Sequence, residues 1–256
     1  MGCALTERRE RVNPGARPGG EESEAAAAGH VQEIFNSIAP SYDLLNHLLS
    51  MGLDRRWWRR AARCFEDVLK RPEARVLDLC CGTGDMTAAL LAHRPASAEP
   101  VTGLDFSAQM LDRARVKYGS ANAVWVEGDA MHLPYADGSF DLVTAAFGFR
   151  NLTNYAEGLR EICRVLKPGG TMGILECNQP DGLSGWGYGV YFQRVLPLLG
   201  GWISGDGAAY RYLPASVARF PRPPQMLRMM EEAGFVVGEW DGYLLRAAGL
   251  YRGVKA

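Results

Sequence analysis

Apolar runs that alternate with helical patterns occupy the middle of the chain. In order, the runs read ARVLDLC, VTGLDF, AVWVEGDA, FDLVTAAFGF and TMGILE. Most are separated by stretches with helical spacing, such as SAQMLDRARVKY, which Ser107 is expected to cap. Another such stretch, YAEGLREICRVLKPGG, is expected to stop at residues 168–170. Strands that alternate with helices pair in parallel and place helices on both faces of the sheet. The sequence therefore predicts an α/β fold.

A glycine-containing turn follows the first predicted strand, in the sequence VLDLCCGTGDMT. Ligands of such sheets bind beyond the carboxyl ends of the strands, next to the first one. Gly82 and Gly84 would let this turn approach a nucleotide-like ligand. Asp105 ends the next strand, where a ribose-binding acid is usual. Thr87 stands where a dinucleotide-binding fingerprint requires its third glycine, which argues against a nicotinamide enzyme.

The ends of the chain set the domain boundaries. Residues 1–29 combine arginines, Pro/Gly pairs and the segment EESEAAAAG, without an apolar central region. We predict a disordered tail over residues 1–29 and one domain over residues 30–256. Glu21, Glu22 and Glu24 argue against a transit peptide.

Composition narrows the class of protein. The net charge of −1 gives no indication of a nucleic-acid partner. The six cysteines include no C-x-x-C pair and no histidine at metal-binding spacing, which favours reduced thiols in a cytoplasmic protein and predicts no metal site. No apolar run approaches the roughly 20 residues of a membrane-spanning helix.

Four pieces in this order, the turn VLDLCCGTGD, the acid after the second strand, GDA and VLKPGG, resemble class I S-adenosylmethionine-dependent methyltransferases. The resemblance implies a Rossmann-like, mostly parallel seven-stranded sheet with an N-terminal helical cap. It also implies a cofactor, S-adenosyl-L-methionine, and residues that bind it: Gly82, Thr83 and Gly84 under the cofactor, Asp105 on the ribose, and Asp129 with Ala130 at the adenine.

Four other segments resemble the UbiE/MenG C-methyltransferases of menaquinone and ubiquinone biosynthesis. They are IFNSIAPSYDLLNHLLSMGLDRRWWR, AFGFRNL, AAYRYLPASVARFP and LYRGVKA. The resemblance implies methylation of a ring carbon of a prenylated quinol, most often demethylmenaquinol, with a prenylated benzoquinol as the alternative. Cys80, Cys81, Ala146, Asp54 and Arg246 depart from the common pattern, which leaves the reaction class intact and the substrate details open.

Methylation of a ring carbon needs an activated nucleophile. Only the quinol, after its hydroxyl loses a proton, can push electrons onto the ring, so a group must stabilise that charge. Arg150 and Asn151, after the fourth strand, are the predicted catalytic residues. Arginine is too basic to accept the proton, but it can stabilise a phenolate or hold a water. The alternative is structural, with Arg150 paired to a carboxylate and Asn151 capping a helix.

Weaker candidates surround this site. Tyr42 and Asp43 could line it, and His47 and His132 are less favoured bases. Eight aromatic residues between positions 186 and 220 suit a prenyl tail or ordinary packing equally well; they are Trp186, Tyr188, Tyr191, Phe192, Trp202, Tyr210, Tyr212 and Phe220. Four arginines beside Trp57 and Trp58 would suit anionic lipid headgroups or a solvated helix face; they are Arg55, Arg56, Arg59 and Arg60.

Three classes of function stay open at this point. The first is a quinol C-methyltransferase, cytoplasmic or peripheral on the inner face of the membrane. The second is a methyltransferase of another small molecule, which would lack a reason to keep FGFRN. The third is a nicotinamide-dependent oxidoreductase or a nucleotide-binding module without catalysis. The sequence leaves open whether the chain forms a homodimer.

Overall fold

A seven-stranded sheet forms the centre of the molecule in a computed structural model, which describes residues 15–42, 50, 52–180 and 207–256. The strand order is β3-β2-β1-β4-β5-β7-β6. Strands β1 to β5 are parallel, and β7 runs antiparallel to both β5 and β6. The predicted mostly parallel, seven-stranded α/β fold is therefore confirmed.

Strands and helices alternate as the sequence indicates. The strands are β1 Val76–Leu79, β2 Val101–Asp105, β3 Ala123–Glu127, β4 Phe140–Ala146, β5 Leu166–Cys177, β6 Phe235–Tyr243 and β7 Ala248–Lys255. The helices are α1 Glu24–Ile38, α2 Asp54–Arg63, α3 Glu66–Leu69, α4 Asp85–Leu91, α5 Ala108–Tyr118, α6 Tyr155–Val165, α7 Gly207–Arg219 and α8 Pro223–Glu232. Short 3-10 turns cover Ala39–Ser41 and Phe149–Asn151.

The end of α6 differs from the prediction that the helix continues to residues 168–170. The helix ends at Val165, and Leu166 already has extended backbone angles, φ −73° and ψ 142°. The residue before a proline avoids the helical region, so Pro168 acts on Lys167 and ends the helix earlier than its own position. Strand β5 then includes the KPGG segment.

Two apolar layers cover the sheet because successive strand residues point to opposite faces. Leu77 of β1 and Val143 of β4 pack with α6 and α8, whereas Val76 and Leu142 pack with α2 and α4. Both faces of these strands are thus buried, which explains why they read as continuous apolar runs.

The N-terminal helix begins before the predicted domain boundary at residue 30. Helix α1 starts at Glu24, where the Ser23 side chain accepts a hydrogen bond from the Ala26 N–H. The Ala16 N–H donates to the Leu152 carbonyl at 2.8 Å. Residues 15–29 therefore belong to the described fold, and residues 1–14 of the predicted tail lie outside the described part of the chain.

Among the described helices, none is both long and apolar enough to span a bilayer. Helix α1 instead uses one apolar face, with Val31, Ile34 and Phe35, to pack against Met110 of α5 and Tyr212 of α7. This packing brings α1 over the carboxyl ends of β1 and β2.

Candidate active site

The turn after β1 has a left-handed backbone at three positions. Cys80 has φ 53°, Gly82 φ 53° and Gly84 φ 90°. Glycine adopts such angles without a steric cost, whereas other residues do so at about 1–2 kcal/mol each. Cys81 is buried and Cys80 is partly buried, and this burial raises the pKa values of both thiols well above the ordinary range. They fill space, and they are not the reactive nucleophiles of this site.

The two glycines of the turn serve different purposes. A Cβ at Gly82 would meet only the Tyr42 ring, at 3.7 Å, and this residue borders an open cavity. A Cβ at Gly84 would lie 2.6 Å from the Trp125 ring, so Gly84 permits α4 to pack on the sheet. Gly82 thus lies beside open space in the cavity, and Gly84 is a packing glycine; the ligand contact of Gly82 stays a prediction.

Asp105 connects the turn to the end of β2. Its Oδ2 accepts a hydrogen bond from the Gly82 N–H at 2.9 Å, and its Oδ1 accepts one from the Ser107 N–H at 2.9 Å. A carboxylate has about four acceptor sites, so acceptor capacity beyond its backbone N–H partners remains. Burial raises the pKa of Asp105 to about 6, although these backbone N–H groups act in the opposite direction. The carboxylate is therefore fixed in place before any ligand arrives.

A cavity of about 660 Å³ lies beyond the carboxyl ends of β1, β2, β3 and β4. Of the predicted cofactor-binding residues, four line it: Gly82, Asp105, Asp129 and Ala130. Thr83 lines a small neighbouring cleft together with Asp78, Tyr42, Trp58 and Ala146. Gly84 is not among the described residues that line either space.

Asp129 and Ala130 follow β3, as predicted for an adenine site. The Met131 N–H donates to Asp129 Oδ1 at 2.9 Å, and His132 Nδ1 lies 3.0 Å from Oδ2. The side chain of His132 is 76% exposed, and its hydrogen bond with Asp129 raises its pKa. These contacts connect His132 with the predicted adenine end of the cavity, away from the predicted catalytic pair.

The opposite wall of the cavity follows β4. Phe147 has a left-handed φ of 57°, an uncommon conformation for a bulky residue that often marks a functional site. Its N–H donates to the Leu175 carbonyl at 2.8 Å, which holds it there. Asn151 lines the same wall, and its Oδ1 accepts a hydrogen bond from the Tyr212 hydroxyl at 2.9 Å.

Arg150 lies behind this wall in a buried ion pair. Its Nη1 is 2.7 Å from Glu176 Oε1, and the two side chains are 7% and 0% exposed. Burial disfavours its charge, but Glu176 raises the pKa of Arg150 above its ordinary value. The guanidinium also donates to the Phe147 carbonyl and to Ser216 Oγ. These contacts are the ones expected if Arg150 has a structural role as the partner of a carboxylate. The catalytic role of Arg150 stays a prediction.

A second buried carboxylate lies under the turn. Asp78 accepts hydrogen bonds from the Thr87 hydroxyl at 2.6 Å and from the Thr144 hydroxyl at 3.0 Å. Burial raises its pKa to about 7. Asp78 therefore orders the turn from β1, and it lies next to the cleft that holds Thr83.

Residues of α1 complete the cavity, and no motif in the sequence identifies them as cavity residues. Gln32 and Phe35 line the cavity, and Gln32 Nε2 donates to the Phe106 carbonyl at 2.6 Å. The available signal was the apolar spacing of Val31, Ile34 and Phe35, which marks a face that must be covered. Tyr42 also lines the cavity, whereas Asp43 and His47 lie outside the described residues.

Two of the eight aromatic residues predicted near the prenyl tail have described side chains. Tyr212 is 7% exposed and contacts Asn151. Phe220 is 6% exposed and packs edge-on against Phe149, Tyr155 and Tyr251. Phe220 thus belongs to the core, and Tyr212 supports the cavity wall. The other six lie outside the part of the chain whose side chains are described.

The fold is that of class I S-adenosylmethionine-dependent methyltransferases. A methyltransferase of this kind from Thermotoga maritima superposes with a TM-score of 0.64 at 20% identity, covering 89% of this chain and all of that one. Residues 22–255 match the ubiE/COQ5 methyltransferase family, and the chain belongs to this family.

Relatives within the family are close in sequence. Demethylmenaquinone methyltransferase of Deinococcus radiodurans is 48% identical over 238 residues, which cover 88% of this chain and 96% of the relative. The enzyme of the same name from Thermus thermophilus is 51% identical over 207 residues, covering 80% and 92%. Both matches cover at least 80% of this chain.

Cofactor affinity should depend on the ionisation of Asp105. Ribose hydroxyls donate best to an ionised carboxylate, and the pKa of Asp105 in the free protein is about 6. We expect S-adenosylmethionine affinity to fall about tenfold between pH 7 and pH 5, because about a tenth of the carboxylate is ionised at pH 5. Calorimetric titration at both pH values measures this change.

Asp105→Asn is the matched variant for this titration. It should lose at least about tenfold in affinity at pH 7, since each charge-assisted hydrogen bond contributes roughly 1.5–3 kcal/mol. The pH dependence that remains in Asp105→Asn belongs to Asp78, whose pKa of about 7 lies in the same window. Unchanged affinity at pH 7 in the variant would exclude Asp105 as a ribose ligand.

Proposed function

We propose that this protein transfers a methyl group from S-adenosylmethionine to a ring carbon of demethylmenaquinol and forms menaquinol. Family membership and the two demethylmenaquinone methyltransferases at 48% and 51% identity support the acceptor. The observation that carries the proposal is a single cavity with cofactor-binding acids at one end and Phe147 and Asn151 at the other.

The acids at the first end fit the cofactor. The Asp105 carboxylate keeps acceptor capacity beyond its backbone N–H partners, which suits ribose hydroxyls. Gly82 leaves space beside them, with no atom nearer to an added Cβ than the Tyr42 ring at 3.7 Å. Asp129 and Ala130 would receive the adenine, while Asp78 places negative charge near Thr83. Bound S-adenosylmethionine supplies an activated methyl group on a positively charged sulfur.

The contribution of the chain is alignment and exclusion of water. Holding the ring carbon in line with the methyl group can contribute about 7–11 kcal/mol. The cavity is walled by Phe35, Phe106, Met110, Met131 and Phe147, which exclude water from the ring. An apolar wall of this kind also fits a naphthoquinol better than a charged acceptor.

Asn151 is the proposed contact of the quinol oxygen. Tyr212 donates to its Oδ1, which fixes the amide group and leaves the amide nitrogen as a donor on the cavity side. That donor would stabilise the negative charge that develops on the oxygen when the hydroxyl loses its proton. Arg150, from behind, holds the Phe147 carbonyl and adds positive charge to the same wall.

Asn151→Ala should lower turnover about 100-fold and change cofactor affinity less than threefold, because the lost donor acts mainly in the transition state. Single-turnover methylation of a reduced short-chain demethylmenaquinol, with calorimetry of the cofactor, measures both quantities. Asn178→Ala is the matched control. Asn178 is also buried and accepts from a tyrosine hydroxyl, that of Tyr251, but it does not line the cavity among the described residues. Equal turnover of the two variants would exclude Asn151 as the contact of the quinol oxygen.

Quinone profiling in cells tests the acceptor directly. A host that lacks its own demethylmenaquinone methyltransferase accumulates demethylmenaquinone, and expression of this chain should restore menaquinone. If expression in a host that makes both quinones restores ubiquinone alone, the acceptor is a benzoquinol and not a naphthoquinol. Because the acceptor carries a prenyl tail that partitions into lipid, we expect the protein to act at the inner face of the membrane.

A further inference from the structure

The hairpin between β6 and β7 exposes two neighbouring leucines. Leu244 is 49% exposed and Leu245 is 74% exposed. Together with Arg246 they have left-handed backbone angles, with φ values of 39°, 52° and 71°. Glycine and asparagine are the usual residues in such a turn. The turn therefore carries both a conformational and a hydration cost that folding alone does not explain.

Strand pairing places this hairpin at the same edge of the sheet as the cavity. Ala248, which follows the turn, pairs with Cys177 at the carboxyl end of β5 and with Tyr243 of β6. The cavity lies beyond the carboxyl ends of β1 to β4. Since strands lie about 4.8 Å apart, the tip is roughly 10–14 Å along the sheet from β4.

A basic helix connects the hairpin with the cavity wall. Helix α2 contains five arginines, and they are all exposed; they are Arg55, Arg56, Arg59, Arg60 and Arg63. Arg60 pairs with Asp241 at 2.7 Å, and its guanidinium lies 4.2 Å from the centre of the Tyr243 ring, just before the tip. One turn earlier on α2, the Trp57 ring lies 6.0 Å from that of Phe147.

The positive charge of α2 is concentrated on this helix and is not a property of the whole chain. The whole chain has a net charge of −1, whereas the one acid of α2, Asp54, is buried at 2% exposure. Arg246 adds a further positive charge beside the leucines, with its guanidinium 5.0 Å from the centre of the Trp240 ring. An apolar tip next to exposed arginines matches the interface of a bilayer with anionic lipids.

We propose that the 244–246 turn and helix α2 form the surface by which this protein docks on an anionic phospholipid bilayer. Leu244 and Leu245 enter the acyl boundary, and the arginines of α2 contact lipid phosphates. The inference rests on the proposed function in one respect, because a prenylated quinol reaches the cavity from the membrane. Docking through this surface places the Trp57–Phe147 side of the cavity toward the lipid.

Vesicle binding of the full chain tests this surface without a quinol. Sedimentation with vesicles of phosphatidylcholine containing 30% phosphatidylglycerol should show binding that weakens at least tenfold in pure phosphatidylcholine. Leu244→Glu/Leu245→Glu should weaken binding to the anionic vesicles at least tenfold, and Arg56→Glu/Arg59→Glu should do the same. Val116→Glu is the matched control, because Val116 is 89% exposed on α5, and it should bind normally.

A soluble acceptor separates this inference from the proposed function. Leu244→Glu/Leu245→Glu should methylate a demethylnaphthoquinol without a prenyl tail at the unmodified rate, which shows that the variant is folded. Normal vesicle binding by this variant would overturn the docking surface. A change of this variant from dimer to monomer in sedimentation would also overturn the docking surface, because the leucines of the unmodified protein would then contact a second copy of the chain. Absence of methylation in the unmodified protein would instead overturn the proposed function.

Discussion

Replacing Gly82 with valine should weaken S-adenosylmethionine binding at least about 100-fold and leave the protein folded. The left-handed φ of 53° disfavours any β-branched side chain, and its methyl groups would project into the cavity beside Tyr42. A 100-fold loss corresponds to about 2.8 kcal/mol. Calorimetry gives the affinity, and thermal denaturation shows whether the variant folds.

Gly169→Val is the matched control for Gly82→Val. Gly169 has a similar φ of 74°, and an added Cβ there would meet no atom within 4 Å. It should carry the same backbone strain and bind the cofactor normally. Gly84→Val should instead destabilise the fold, because its Cβ would lie 2.6 Å from the Trp125 ring. Normal cofactor affinity in Gly82→Val would contradict the assignment of this glycine.

Replacing Arg150 with methionine should lower the free energy of unfolding by about 3–5 kcal/mol. The change leaves the Glu176 carboxylate, which is fully buried, without its charged partner. For a domain of this size the loss corresponds to a fall in melting temperature of roughly 10 °C or more. Arg252→Met, which breaks the exposed pair with Glu239, should show a much smaller fall.

The double variant Arg150→Met/Glu176→Gln separates the structural role of Arg150 from its predicted catalytic role. Removing both charges should restore most of the stability, because replacing a whole buried pair is often nearly neutral. Turnover of the reduced short-chain quinol should stay about 100-fold low at unchanged cofactor affinity, if the Arg150 guanidinium itself stabilises the developing negative charge. Full turnover in the stable double variant would leave Arg150 as a structural partner only.

The sequence predicts the strands and the turn because these features are local. Apolar runs buried on both faces identify β1 and β4. Asp105, an acid at the end of the next apolar run, identifies the carboxyl end of β2. The identity of the packing glycine is not local. Gly84 is close to Trp125 only after β3 pairs with β2, so the turn sequence alone cannot separate Gly84 from Gly82.

The ion-pair partner of Arg150 could not be identified from the sequence, for a similar reason. Glu176 ends the predicted strand TMGILE, and a charged residue at the end of an apolar run was a usable signal. The partner of this charged residue depends on the pairing of β4 with β5. This pairing places Ala146 beside Leu175 and therefore brings the residues that follow these two close together. The role of α1 depends likewise on tertiary packing, since its apolar face does not specify which surface it covers.

The carboxylates of Asp78 and Asp105 determine how stability and binding are related in this protein. Both lose water when the chain folds, and burial raises their pKa values to about 7 and about 6. Their ionised forms therefore destabilise the free protein above those pH values, and this cost declines as the pH falls toward the unfolded pKa of each acid. A positively charged ligand removes much of the same cost when it binds. If the proposed cofactor binds next to these two acids, their burial therefore lowers the stability of the free protein and favours binding of the cationic ligand at the same time.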